Sequence, residues 1–482
     1  MMILQRGACL MVAGLLAGCA ATHDSKVGES ANDLAAGLLD SAILRVETQM
    51  QGEAAEDLLL NLEKGELLRV AARYDESQQA LETADATVRA WEDQVRGALA
   101  AVGTQIGATL FGDGMRDYEG QDYEKVMLTT RMAMNRLNMG DLENARVDIR
   151  RTHEREALIA EARSRANAEA EEEAQEQGVE VEQKDISGYP VEIFDDPAVI
   201  GLKNGYQNAL SHYLAGFVYE TMNEPSLAAA GYRQAIELRP DETALQAGLE
   251  GLAERQQRLA SGKETDVLFV IETGLAPARR SQSIVLPVPT HNGLLTLATA
   301  FPVIQPNPHA LDLRQISIAG QTVPVAQATD LNAMARRALR DELPGMLTRS
   351  SIRLVTKAVL QNEINQQAGP LAGLFAALVS AAIEPEADDR MWRMLPERVY
   401  LARAFVPHGQ HELQLSEDGH AVRTLDVRGR RMVVPVRMLS AVTYFGEPAY
   451  LDGVAAADTA PERKAGRASS RRVPVSVAQE AQ

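Results

Sequence analysis

The sequence predicts an α+β protein: an N-terminal helical-repeat domain, then a mixed α+β region that ends in a small antiparallel β module. Three observations carry this expectation. Apolar residues recur with helical period from about residue 31 to 258, and small residues punctuate that stretch at similar offsets. After Gly262 the texture turns to short β-branched runs separated by Pro, Gly and Asn. The length, 482 residues, suits two or three domains.

The first element is a leader. Arg6, the apolar run from residue 7 to 16 and the small residues after it read as a secretory signal peptide over residues 1–18. The run is too short to remain in a bilayer as a spanning helix. Leu16-Ala17-Gly18-Cys19 at its end resembles the lipobox of bacterial lipoproteins. That resemblance implies an acyl chain such as palmitate on Cys19. Ala20 in place of an Asp implies the outer membrane, on its periplasmic face. Cys9 would leave with the leader, so the mature body would have no disulfide, no cysteine nucleophile and no thiolate metal site. Residues 19–32 are small and polar and read as a lipidated linker, roughly 40 Å long if extended.

Residues 33–260 read as helical repeats. The clearest unit starts at Ala209, and its Gly216, Tyr219, Ala228, Tyr232, Ala235 and Pro240 resemble the signature positions of the tetratricopeptide repeat. Small residues at 216 and 228 let two antiparallel helices approach closely. Tyr219 and Tyr232 fill the groove between them, and Pro240 stops the second helix. A unit near Leu58 carries Gly65, Tyr74, Ser77, Leu81 and Ala84, and another near Val126 carries Ala133, the turn Gly140-Asp141 and Ala145. Residues 92–125 between these two read as a degenerate repeat. An acidic, Ala-rich insertion at about 154–190, including Glu171-Glu172-Glu173, reads as a solvated helical arm and a following loop.

The α+β region, residues 265–450, opens with the strand-like run Val267-Leu268-Phe269-Val270-Ile271. Further strand-length runs stand at 283–288, 294–298, 316–318 and 322–325, followed by a helical stretch over about 331–364. Four last runs, at 399–406, 411–415, 421–427 and 431–436, are expected to form the antiparallel sandwich or meander. Residues 451–482 lack apolar periodicity and read as a disordered tail. Two stretches carry no charge: 97–112 (GALAAVGTQIGATLFG) and 368–383 (AGPLAGLFAALVSAAI). Each has glycines four apart, a spacing that permits close helix packing, and each is shorter than a membrane span. Interior helices are the leading expectation for both, and contact with the bilayer is the rival.

Lys plus Arg number 48 against 67 Asp plus Glu, a formal charge of −19, and −20 once Arg6 is removed. That balance argues against nucleic acid, which needs a basic stripe, and leaves the acyl chain as the expected membrane contact. The chain has no GxSxG, no Walker loop and no HExxH. His408 and His411 flank a turn, with His420 nearby, in a spacing poorly suited to zinc. The expectation is a non-enzyme with no catalytic residue, cofactor or metal.

Asp122-Tyr123-Glu124, the stretch AMNRLNMGDLENARVDIRR (133–151), Glu272-Thr273-Gly274 with Ala276-Pro277, and Asp388-Asp389-Arg390 with Trp392 and Leu395-Pro396 complete the pattern. With the lipobox, they resemble an uncharacterised family of Gram-negative outer-membrane lipoproteins with tetratricopeptide-like repeats. The resemblance lends no catalytic residues. Such proteins tend to be encoded near lipoproteins that activate penicillin-binding proteins, which implies work in the cell envelope or on peptidoglycan. The expected function is a periplasmic scaffold whose repeats offer a concave groove to an envelope protein or peptide. The alternative is a membrane-active or oligomeric structural protein that uses segments 97–112 and 368–383.

Overall fold

A computed structural model describes residues 23–101, 118–177, 188–290, 293–368, 387–415 and 422–451. Cys19 with its lipobox, most of segment 97–112, nearly all of segment 368–383, His420 and the tail from residue 452 lie outside the described residues. The described chain begins in a helix, α1 (His23–Ala35), where the sequence reading placed linker. Val27, Ala31 and Leu34, spaced four and three apart, are buried, and the Ser30 hydroxyl donates to the Ala42 carbonyl at 2.7 Å. Three apolar positions among polar neighbours are too few to register as a period. Residues 23–32 therefore belong to the body rather than to a linker.

After α2 (Leu39–Gln49) come two helix pairs, α3 (Leu58–Val70) with α4 (Tyr74–Ala100) and α5 (Asp122–Asn138) with α6 (Leu142–Gln177). A short α7 (Pro197–Ile200) precedes a third pair, α8 (Ala209–Thr221) with α9 (Pro225–Leu238), and then α10 (Thr243–Glu250) and α11 (Leu252–Leu259). All three pairs turn in the same way. The middle residue of each three-residue connection is left-handed: Ala72 at φ 56°, Gly140 at 75° and Asn223 at 62°. The next amide then reaches five residues back, Arg73 to Leu68 at 2.9 Å, Asp141 to Arg136 at 2.8 Å and Glu224 to Tyr219 at 2.8 Å. That is the Schellman closure, which satisfies a carbonyl the helix end would leave orphaned. α4 runs unbroken to Ala100, so the first part of the stretch read as a degenerate repeat is the end of a long helix.

The acidic stretch also differs from expectation. α6 is one helix, and Ala145, Ile149, Arg155, Leu158, Ile159, Ala162 and Ala166 line a buried face well past residue 154. None of the described side chains between 167 and 177 is buried. The solvated arm therefore starts near residue 167, because apolar positions persist at helical spacing up to there.

Strand β1 (Glu264–Thr273) is central to the C-terminal region. The apolar ribbon of β2 (Arg279–Thr290) and β3 (Gly293–Ile304) pairs with no other strand among the described residues. Next come β4 (Gln315–Ile318), β5 (Gln321–Pro324), β6 (Ala326–Asp330) and the long helix α12 (Leu331–Ala368). The last strands are β7 (Arg398–Pro407), β8 (Gly409–Gln414), β9 (Val422–Val427), β10 (Arg431–Met438), β11 (Thr443–Phe445) and β12 (Ala449–Tyr450). They do not form a module of their own. β1 lies antiparallel to β7 and parallel to β10, with β6 on the far side of β7 and β11 and β12 on β10. β8 and β9 join β4 and β5 in a second sheet. Neighbouring runs in the sequence are thus split between two layers.

β1 explains the layering. Val267, Phe269 and Ile271 face the second sheet, whereas Leu268 and Val270 pack with the helices. A strand covered on both faces must be apolar throughout, as this one is. The order is helices, first sheet, second sheet.

Candidate functional site

The inner helices of the array are closed by the chain itself. Every residue of α8 is buried, and in α5 only Arg136 and Asn138 are not. β1 is pinned to them at both ends by a buried carboxylate. Near its C-terminal end, Glu272 pairs with Arg131 of α5, with Arg69 of α3 at 3.3 Å and with Arg437 of β10 at 3.4 Å. Glu66 of α3 lies 3.5 Å from Arg131 and 3.4 Å from Arg437. Burial alone would raise the Glu272 carboxyl, but Arg131, Arg69 and Arg437 outweigh it and hold it far below the usual range.

Near the N-terminal end of β1, Asp266 takes Arg403 of β7 at 2.5 Å and Arg431 of β10 at 3.8 Å. Glu220 of α8 binds Arg255 of α11 at 2.9 Å and Arg403 at 3.1 Å, and accepts the Tyr232 hydroxyl at 2.7 Å. Each end thus joins three guanidiniums to two carboxylates. Burial of such groups is tolerated only when they are paired, so these clusters fix how the sheet sits on the helices.

Two further buried acids hold chiefly backbone amides. Glu63 of α3 accepts the amides of Arg393 at 2.7 Å and Met394 at 2.8 Å. Glu124 of α5 accepts the amide of Trp392 at 2.7 Å, the amide of Gln121 at 2.9 Å and the Tyr118 hydroxyl. Burial pushes the Glu124 carboxyl up to about 6 against the pull of those three donors. Through these contacts the segment around Trp392 is laid across α3 and α5. Arg279 donates to the Asp388 carbonyl at 3.0 Å, and the Ala276 amide donates to the Leu395 carbonyl at 2.7 Å. The 122–124, 272–277 and 388–396 segments, far apart in the chain, meet in one place.

Beside that junction lies a cleft of about 440 Å³. Its walls include Gly274, Pro277, Arg280, Asn307, Arg393 and Glu397. Glu397 is 2 % exposed, and its Oε2 accepts from Asn307 Nδ2 at 2.8 Å. Burial raises its carboxyl above the ordinary value, with the Asn307 bond opposing. Gly274, at φ 64°, is required here twice over: a Cβ would also lie 3.0 Å from Glu397 Oε2. Arg393 is half-buried and donates to the Ala276 carbonyl. Arg280 is exposed.

The expected repeat-packing residues fall as follows. A Cβ on Gly216 would lie 2.6 Å from the Tyr232 ring, and one on Gly65 would lie 2.5 Å from Leu81 Cδ2. Ala133, Ala145, Tyr219, Ala228, Tyr232 and Ala235 are buried. Pro240 follows the end of α9, and Gly140 forms its turn. Tyr74 starts α4, and a Cβ on Gly446 would lie 2.8 Å from its hydroxyl, so it faces the C-terminal region rather than the groove of its own pair. His408 and His411 each place Nε2 against a carbonyl, Gly429 at 3.2 Å and Pro407 at 2.9 Å. Among the described residues, no group of three or more His, Cys, Asp or Glu is disposed to hold a metal ion. Sequence reasoning missed the carboxylate pins and the cleft. Their signal was available in Glu63, Glu66, Arg69, Glu124 and Arg131, charges on otherwise apolar helices. No family model, curated protein or solved structure matches this chain.

Proposed function

We propose that the three helix pairs are tetratricopeptide-like repeats, and that the protein is a lipid-anchored periplasmic platform at the outer membrane, serving cell-envelope biogenesis with peptidoglycan synthesis as its context. Its partner is an envelope protein or peptide. The common turn geometry at Ala72, Gly140 and Asn223 supports the repeat reading. The observation that carries the platform reading is the closed inner face of the array. The concave groove expected to receive a partner is filled by the chain's own β1, β7 and 392–394 segment. Surface for a partner is then left on the cleft beside Gly274 and on the exposed end of α6.

Photocrosslinking in cells tests this. A photoreactive side chain at Leu311 on the cleft rim or at Glu172 on the α6 arm is expected to give discrete adducts, and one at the buried Thr129 to give none. Cys19→Ser should leave the protein either uncleaved or free of the outer-membrane fraction, because only a thiol takes the lipid. A cleaved Cys19→Ser protein that still fractionates with that membrane would defeat the anchor reading.

One observation favours the membrane-active alternative. The β2–β3 ladder joins no other described strand and packs on α12, with Ile284, Phe301 and Val303 in the core, while Val285 is exposed and residues 281–301 contain no Asp, Glu, Lys or Arg. Helix packing supports the base of the ribbon, and an exposed apolar residue such as Val285 on a strand without charges offers a surface for lipid. No helix among the described residues is long and apolar enough to cross a membrane. Liposome flotation of the protein starting at Ser25, without leader or acyl chain, separates the readings. Flotation abolished by Val285→Glu in a folded protein favours the ribbon, and absence of flotation rejects it.

A further inference from the structure

We propose that the cleft beside Gly274 binds a zwitterionic ligand of the short-peptide class, with a carboxylate on Arg280 and an N–H donor, such as a terminal ammonium, on Glu397. The proposal concerns the cleft alone and does not rest on the lipid anchor. Glu397 sits on the cleft wall with one oxygen held by Asn307 at 2.8 Å, and its other oxygen takes no hydrogen bond from the described residues. No described cation forms an ion pair with it. A carboxylate this buried ordinarily collects several donors, as Glu63 and Glu124 do nearby. Asn307 is engaged at both ends, its Oδ1 accepting the His309 amide at 3.0 Å and its Nδ2 donating to Glu397.

The cation on the other side is also uncommitted. The Arg280 side chain lines the same cleft without a hydrogen bond or ion pair to any described residue. Nearly all the other arginines near this junction are paired: Arg279 with the Asp388 carbonyl, Arg390 with Asp388, and Arg393 with the Ala276 carbonyl. A guanidinium offers a planar fork that suits a carboxylate. One free acid and one free guanidinium in a cavity walled by Pro277, Pro306 and Pro308 complement a ligand with opposite charges at two ends and a short apolar body between them. A simple cation or a simple anion would leave one of the two groups unmatched.

Full-length protein in detergent, offered a pooled Ala-Xaa-Ala tripeptide library with free termini, tests the assignment by ultrafiltration and mass spectrometry. Retained peptides are expected to weaken roughly tenfold or more when N-acetylated or C-amidated, the effect of losing one charge-assisted hydrogen bond. Arg280→Met should erase the difference between free and amidated C-termini, and Glu397→Gln the difference between free and acetylated N-termini. Arg280 is exposed, so its variant will fold, and the C-terminal arm of the experiment decides by itself if Glu397→Gln does not. Retention no greater than that of the Arg280→Met/Glu397→Gln double variant, or retention indifferent to both caps, would overturn the proposal.

Discussion

Ala72 holds a left-handed conformation that glycine adopts freely and other L residues resist, and Gly140 holds the equivalent place in the next turn. The two positions make opposite predictions. Ala72→Gly should raise the urea midpoint, by up to about 1 kcal/mol of stability, since relief of strain exceeds the added freedom of the unfolded chain. Gly140→Val should lower it by about 1–2 kcal/mol, although open space surrounds the site. Shifts of opposite sign at the two equivalent positions would be hard to obtain from side-chain packing. Glu272 makes a pH prediction. Its folded carboxyl lies below its unfolded value of 4.5, so in acid the unfolded chain binds the extra proton. The stability this group supplies is therefore full above pH 4.5 and is lost as pH falls below it. Glu272→Gln should destabilise the protein at neutral pH by about 3–5 kcal/mol, because it leaves Arg69, Arg131 and Arg437 with Glu66 alone. The variant should also show a shallower loss of stability between pH 4.5 and 3. An acid limb identical to that of the parent would mean that Glu272 is not held ionised by its neighbours.

At the scale of elements, the helix pairs were legible because a close crossing demands small residues that the eye can find. Gly216 is the sharpest case: Gly216→Leu must displace the Tyr232 ring, and overpacking of this kind costs about 1–3 kcal/mol or more. Gly28, with open space around it, should accept Leu with little change, and equal midpoints for the two variants would count against the crossing. The length of the arm was not legible. Acidic, Ala-rich sequence begins near residue 154, yet Leu158, Ile159, Ala162 and Ala166 keep one face in the core. Deleting residues 168–177 should therefore leave the melting transition nearly unchanged. Extending the deletion back to Arg163 should lower it clearly, since Arg163 binds Asp122 at 2.5 Å and Glu342 at 2.7 Å. β1 was readable as a strand from its apolar run, but its neighbours were not. Val267 lies beside Met432 on one side and Ala404 on the other, and no local pattern records pairings between such distant runs. The apparent C-terminal module dissolves for the same reason. Short strands joined by tight turns look like one sheet in sequence, and only burial decides which layer each joins.

Across the whole molecule, the helical and sheet regions stabilise each other, and neither is closed alone. α8 is buried on all sides. Phe217 carries the Arg403 guanidinium 5.0 Å above its ring, and Leu268 and Val270 of β1 share one core with Leu210, Leu214 and Tyr213. α1 is tied to the other end of the chain, since the Tyr444 hydroxyl donates to the Leu34 carbonyl at 3.0 Å. Separating the two regions would expose several large apolar side chains, each worth about 1.5–3 kcal/mol when buried. Four of them already approach the roughly 5–15 kcal/mol that holds a typical domain together. The same cut would take from Glu63 and Glu124 the backbone amides of residues 392–394. It would take from Glu66 and Glu220 the guanidiniums of Arg437 and Arg403, although Arg69, Arg131 and Arg255 would remain. A protein ending at residue 260 should therefore fail to fold cooperatively, and the intact protein should melt in one transition with matching signals from helix and sheet. Chymotrypsin digestion and circular dichroism of both forms read this directly. A protease-resistant, cooperatively melting fragment 23–260 would show that the helix array is an independent domain, and its inner face would again be open to a partner in the way the sequence alone suggests.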